Sequence, residues 1–72
     1  MTNSKLLDEW IRLSGKKKGY LADRTGMSRQ TFRKRCRNEG EFTTGQVEIL
    51  CAELGIVDLD EKQAVFFAQD VA

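Results

Sequence analysis

The stretch Leu-Ala-Asp-Arg-Thr-Gly-Met-Ser-Arg-Gln-Thr-Phe, residues 21–32, decides the reading of this chain. Its first half reads as the end of a helix running from about Lys18 to Thr25, with Leu21 and Ala22 inward. Gly26 with Met27 forms the exit turn, and Ser28 is placed to cap a second helix through its hydroxyl. That helix continues as Arg29-Gln30-Thr31-Phe32-Arg33-Lys34-Arg35-Cys36-Arg37, and Asn38 supplies the side chain next best to glycine for a left-handed helix end. Ala22 is small enough for the second helix to cross closely, Gly26 permits the tight turn, and Met27 and Phe32 plug the angle. The spacing from Lys18 to Arg37 is that of a helix-turn-helix.

A wheel of the second of these helices places Phe32 and Cys36 one turn apart on the inward side. Gln30, Arg33, Lys34 and Arg37 fall at i, i+3, i+4, i+7 on the opposite side, joined at the N-terminus by Arg29. The arrangement is unfavourable in isolation. Arg29 sits at the positive end of the helix dipole, which costs a cation roughly 0.3–1 kcal/mol. Arg29/Arg33 and Arg33/Arg37 are like-charge pairs four apart, each worth about 0.2–0.5 kcal/mol of repulsion. Rules broken together on one exposed face point to a partner that rewards them. A phosphate-lined groove does so. Arg and Lys also match the O6 and N7 acceptors of guanine, and Gln can pair with adenine N6 and N7.

The flanking sequence is helical too, and strand signals are weak: little alternation, no hairpin dipeptide, few β-branched runs. A first helix is expected over Ser4–Ser14, capped by Asn3 and ended by Gly15, with Leu6, Leu7, Trp10, Ile11 and Leu13 as its apolar stripe. Trp10 reads as a core anchor rather than a base-stacking residue. Tyr20 is open between a core edge and a phosphate contact. A fourth helix is expected over Thr44–Leu54, with Thr43 and Gln46 forming a capping box and Gly55 ending it. Its Val47, Leu50, Cys51 and Leu54 share one face. In the tail, Asp58 or Asp60 is placed to cap a short fifth helix at about 59–65, and Val65 to Ala68 reads as helix end or extended segment.

Composition bounds the rest. Seventy-two residues, 40% hydrophobic and 32% charged, make one small globular domain. Such a domain buries roughly 60% of the unfolded chain's surface. The longest apolar run, Ala64 to Ala68, is far short of the roughly 20 residues that span a bilayer. The polar start, Met-Thr-Asn-Ser-Lys, has no secretion signal, so a cytoplasmic address is expected. Cys36 and Cys51 form no metal-binding or redox spacing and read as reduced, buried thiols. The net charge of +1 conceals an asymmetry. Residues 1–36 carry ten Lys and Arg against three acids, residues 37–72 two against eight, and residues 16–37 nine against one. A concentrated positive segment is the electrostatic footprint of a polyanion binder.

Residues 21–32, with Cys-Ala-Glu-Leu-Gly-Ile at 51–56, resemble the Cro/repressor family of phage and bacterial regulators (lambda-repressor-like, XRE type). The chain is similar to short prophage-encoded members, over about residues 4–57. The resemblance implies an all-α fold, a compact bundle of four to five helices containing a helix-turn-helix. Residues 1–58 would be the DNA-binding domain and 59–72 a tail that packs on the core or forms a dimer contact. By position, Ser28, Arg29, Gln30, Thr31, Arg33 and Lys34 match the front of the recognition helix, which contacts bases in the major groove. Lys18 matches a phosphate-holding position, with Lys16 and Lys17 as neighbours that add phosphate contacts. Arg37 and Asn38 join the phosphate set, Asn38 where relatives usually have Gly, before a loop over 38–44 that touches backbone in relatives. Arg35 and Thr25 depart from the pattern, standing where relatives usually carry apolar residues.

The function expected is a sequence-specific regulator of double-stranded DNA acting as a repressor or Cro-like switch, as a homodimer on a palindromic operator. The alternative is a protein-interaction module of the same fold, antitoxin-like or anti-repressor, motivated by the acidic half and Phe66/Phe67. An enzyme is disfavoured: there is no His, phosphate-binding loop or metal spacing. No cofactor, metal, membrane or small-molecule substrate is expected. RNA binding lacks the exposed aromatics interleaved with bases that it usually needs.

Overall fold

A computed structural model describes residues 1–69. Among them the chain forms five helices: α1 Ser4–Ser14, α2 Lys18–Arg24, α3 Arg29–Cys36, α4 Thr44–Leu54 and α5 Leu59–Phe66. Helices are the only regular elements of the described residues, so the fold is an all-α bundle.

Local chemistry explains the boundaries. The Asn3 side chain accepts from the Leu6 amide at 3.1 Å and starts α1. The Ser28 hydroxyl accepts from the Thr31 amide at 3.1 Å and starts α3. At α4 the capping box is complete: Thr43 Oγ1 accepts from the Gln46 amide at 3.2 Å, and Gln46 Oε1 accepts from the Thr43 amide at 2.9 Å. Asp58 accepts from the Asp60 amide at 2.9 Å and starts α5. Asn38 has φ +69°, so the chain leaves α3 through a left-handed residue.

Each helix buries one stripe. Leu7 and Ile11 of α1, Leu21 and Ala22 of α2, Phe32 and Cys36 of α3, and Val47, Leu50, Cys51 and Leu54 of α4 form one core. Trp10 packs half-buried against it, as an anchor rather than a free ring. Leu13 does not join: it is 69% exposed, one position off the stripe that Leu7 and Ile11 define. Cys36 and Cys51 are free, buried thiols, and burial pushes Cys36 up to about 12 and Cys51 upward.

α2 packs chiefly on α3, while α1 bridges α3, α4 and α5. The turn between α2 and α3 closes with the Met27 amide donating to the Ala22 carbonyl at 2.9 Å, through Gly26 at φ +73°. Thr25 is buried, and its hydroxyl donates back to the carbonyls of Leu21 and Ala22 at 2.8 and 3.0 Å. A polar residue is tolerated in this turn because its one donor is satisfied within its own helix.

The tail supplies core. Of the stretch Val65 to Ala68, Val65 and Phe66 end α5 and are buried, Phe67 is the C-cap, and Ala68 lies beyond the helix. The Asn3 amide donates to the Val65 carbonyl at 2.8 Å and the Ala68 amide to the Met1 carbonyl at 2.9 Å. Phe32, Phe42 and Phe66 make an aromatic chain with successive centroids 5.9 Å apart, joining α3 to α5 through the loop before α4. Residues 70–72 of the expected 59–72 tail lie outside the described residues. No helix of the described residues is long and apolar enough to cross a membrane.

Candidate nucleic-acid interface

The recognition surface is set by what holds α3 from behind. Phe32 is fully buried and Cys36 nearly so, which fixes the rotation of the helix. The far end is tied down as well: Ser4 donates its hydroxyl to the Cys36 carbonyl at 2.7 Å, and the Asn38 side chain accepts from the Thr2 amide at 3.0 Å.

With α3 held this way, Ser28, Arg29, Gln30, Arg33 and Lys34 are exposed and Thr31 is half-buried. The six expected base-contacting residues therefore share one region. They are not equally free. Ser28 is occupied by its cap and also donates to the Thr31 hydroxyl at 3.0 Å. Gln30, Arg33 and Lys34 have no side-chain hydrogen bond or ion pair among the described residues. Arg33, Lys34 and Arg35 occupy the last turn of α3, where the helix dipole favours cations, so only Arg29 pays its penalty.

The expected phosphate-contacting residues divide. Lys17 is exposed and unpaired among the described residues. Lys18 lies 3.2 Å from Asp8, and Arg37 lies 2.8 Å from Glu39, whose carboxyl is lowered by that hydrogen bond. Lys16 is committed furthest: its ammonium contacts the Glu53 carboxylate at 2.8 Å and the Glu53 carbonyl at 2.6 Å. Asn38 spends its side-chain oxygen on Thr2.

Glu53, on α4, is the residue that sequence reasoning missed. Its side chain is only 13% exposed and receives Lys16, Arg24 Nε at 3.0 Å and Tyr20 OH at 3.1 Å. Tyr20 is thus neither core nor free for phosphate; its ring also lies 5.9 Å under the Lys16 ammonium. The Lys16 ammonium first, then Arg24, hold the Glu53 carboxyl at about 2; burial opposes them, and Tyr20 adds less than either cation. The unfolded carboxyl titrates near 4.5, so this contribution to stability is complete above that pH and is lost as pH falls towards 2. In a carbon-13 titration the Glu53 carboxyl is expected to inflect near pH 2, and to return towards 4.5 in the Lys16→Met chain. An ordinary midpoint in the unsubstituted chain would show that the network does not form in solution.

Arg35 is a second departure with a local explanation. It is half-buried, its Nη1 donates to the Glu41 carbonyl at 2.6 Å, and its stem crosses Gly40. A side chain at Gly40 would collide with it, and Gly40 has φ +103°. Arg35 braces the loop that follows α3 instead of facing outward with Arg33 and Lys34.

Three cations without an ion pair among the described residues converge on one place. A basin of about 710 Å³ at the seam of α2 and α3 is lined by Lys17, Arg29 and Arg33, with Lys16, Lys18, Gly19 and Tyr20 beside them. Asp23 is the one acid lining it and makes no ion pair among the described residues. The arrangement offers a polyanion several donors without displacing a carboxylate. No family model, curated protein or solved structure matches the chain significantly.

Proposed function

We propose that this chain is a sequence-specific double-stranded DNA-binding regulator of the Cro/repressor type, reading an operator by laying α3 in the major groove. The observation that carries the reading is the outward face of α3: Gln30, Arg33 and Lys34 stand exposed, and unpaired among the described residues, on a helix whose opposite face is locked by Phe32 and Cys36. Base readout needs free donors carried on a backbone that is itself held, and this face supplies both. The basin at the α2–α3 seam supplies cations for phosphates on the flank. One such unit reads only a few base pairs, so two copies would pair across a palindrome about one helical turn apart. The work is cytoplasmic, where both thiols stay reduced.

The test is selection of bound sequences from a random duplex pool at two salt concentrations. Enrichment of a defined motif is expected, with affinity falling steeply as salt rises. No enrichment, with no shift of any duplex at low salt, overturns the reading. A second reading, a protein-interaction module of the same fold, is favoured by Val57 and Leu59, 94% and 64% exposed at the entrance to α5. Stoichiometric capture of a protein partner by a chain that shifts no DNA would select it.

A further inference from the structure

We propose that Arg29 is a ligand for a backbone phosphate, not a reader of a base edge, and that Gly19 is the residue that positions it. The inference rests on the DNA reading above and changes the assignment of one side chain within it.

Arg29 begins α3, where the wheel alone aims it at the groove with Gln30 and Arg33. Its guanidinium instead lies back over α2. A Cβ built on Gly19 would stand 2.7 Å from Arg29 Nε and 3.0 Å from Cζ and Nη2. The space that any other residue's side chain would fill is the seat of the guanidinium. Gly19 is the second residue of α2 and has no left-handed backbone, so no turn requires a glycine there. Glycine is a poor helix former, and at this position close approach explains it better than conformation.

The seat faces the basin that also gathers Lys17 and Arg33. In a helix-turn-helix the first helix crosses the DNA backbone while the second enters the groove. A guanidinium resting on α2 is therefore on the backbone side. Its planar fork of donors suits two phosphate oxygens at once. Asp23 shares the basin without pairing with Arg29, so the charge is uncommitted.

The experiment measures affinity for a selected duplex and a scrambled one across a salt series. Arg29→Ala is expected to weaken both by the same factor, roughly tenfold, and to flatten the log–log salt dependence by about 0.9. Gly19→Ala is expected to leave the melting temperature within a few degrees, because the residue lies in the first turn of α2 and the only group its Cβ meets is a movable guanidinium. The same substitution is expected to weaken both duplexes by a smaller common factor, because its Cβ evicts the guanidinium. In the Arg29→Ala background Gly19→Ala should then change affinity no further. A loss confined to the selected duplex with the salt dependence intact assigns Arg29 to a base edge and overturns the proposal. So does a Gly19→Ala loss that persists undiminished without Arg29. An unsubstituted chain that shifts neither duplex at low salt removes the DNA reading itself, and this assignment with it.

Discussion

Deleting residues 59–72 is expected to unfold the chain rather than trim it. Val65 is fully buried and Phe66 is 4% exposed, so α5 closes the core instead of decorating it. Phe66 meets Phe42 edge-on, and Phe42 meets Phe32, the residue that fixes the recognition helix from behind. Removing a buried Phe side chain costs about 3–5 kcal/mol, and burial of a Val contributes about 1.5–3 kcal/mol more. A chain of this size has roughly 4–11 kcal/mol of total stability. The deletion also strips Asn3 and Met1 of the Val65 and Ala68 partners that hold the N-terminal residues over the end of α3. Circular dichroism with thermal melting checks this: the deleted chain should show no cooperative transition. Phe66→Ala should lower the melting temperature by roughly 15 °C or more. Phe67→Ala, at a half-exposed position, should leave it within a few degrees. A deleted chain that melts cooperatively near the full-length value would show that residues 1–58 fold alone and that α5 is peripheral.

Helix boundaries were legible because their causes are local. Asn3, Ser28, Thr43 and Asp58 each cap the turn that begins beside them, and Gly15, Asn38 and Gly55 each end one with a positive φ. The inward faces of α3 and α4 followed from period alone. What a wheel cannot show is where a long charged side chain spends its charge, since that depends on the neighbouring helix. Arg29, Arg33 and Arg35 look alike along the sequence, yet Arg29 lies on Gly19 and Arg35 braces Glu41, and only Arg33 remains unengaged. Lys16 and Lys17 are adjacent, but Glu53, thirty-seven positions beyond Lys16, claims one and leaves the other. Glu53 was not singled out, because a Glu on an amphipathic helix looks solvated until α2 is packed beside it. Gly19 carried a faint signal: a glycine inside a predicted helix needs a reason, and here the reason is a guanidinium. Leu13 marks the converse limit, an apolar residue that the core does not reach.

Arg33→Glu is expected to remove DNA binding while leaving the free protein folded and near its original stability, and that separation is what makes the substitution informative. Arg33 is exposed, unpaired among the described residues, and lies both on the outward face of α3 and at the rim of the basin. Removing a base-reading Arg costs about 1–3 kcal/mol, and a carboxylate in its place adds repulsion from the phosphates, so a loss of about a thousandfold or more is expected at moderate salt. The free helix changes little. Arg29 and Arg37 flank position 33 by one turn on each side, so two repulsive pairs become attractive, together worth about 0.8–2 kcal/mol. Position 33 also lies in the last turn of α3, where exchanging a cation for an anion costs about 0.6–2 kcal/mol. The two nearly cancel, and the melting temperature should stay within a few degrees. Should Arg33→Glu keep its melting temperature and still bind the selected duplex as tightly as the unsubstituted chain, α3 is not the reading surface. Should it lose its cooperative transition instead, position 33 carries part of the fold, and the exposed, unpaired arginine on this face is absent in solution.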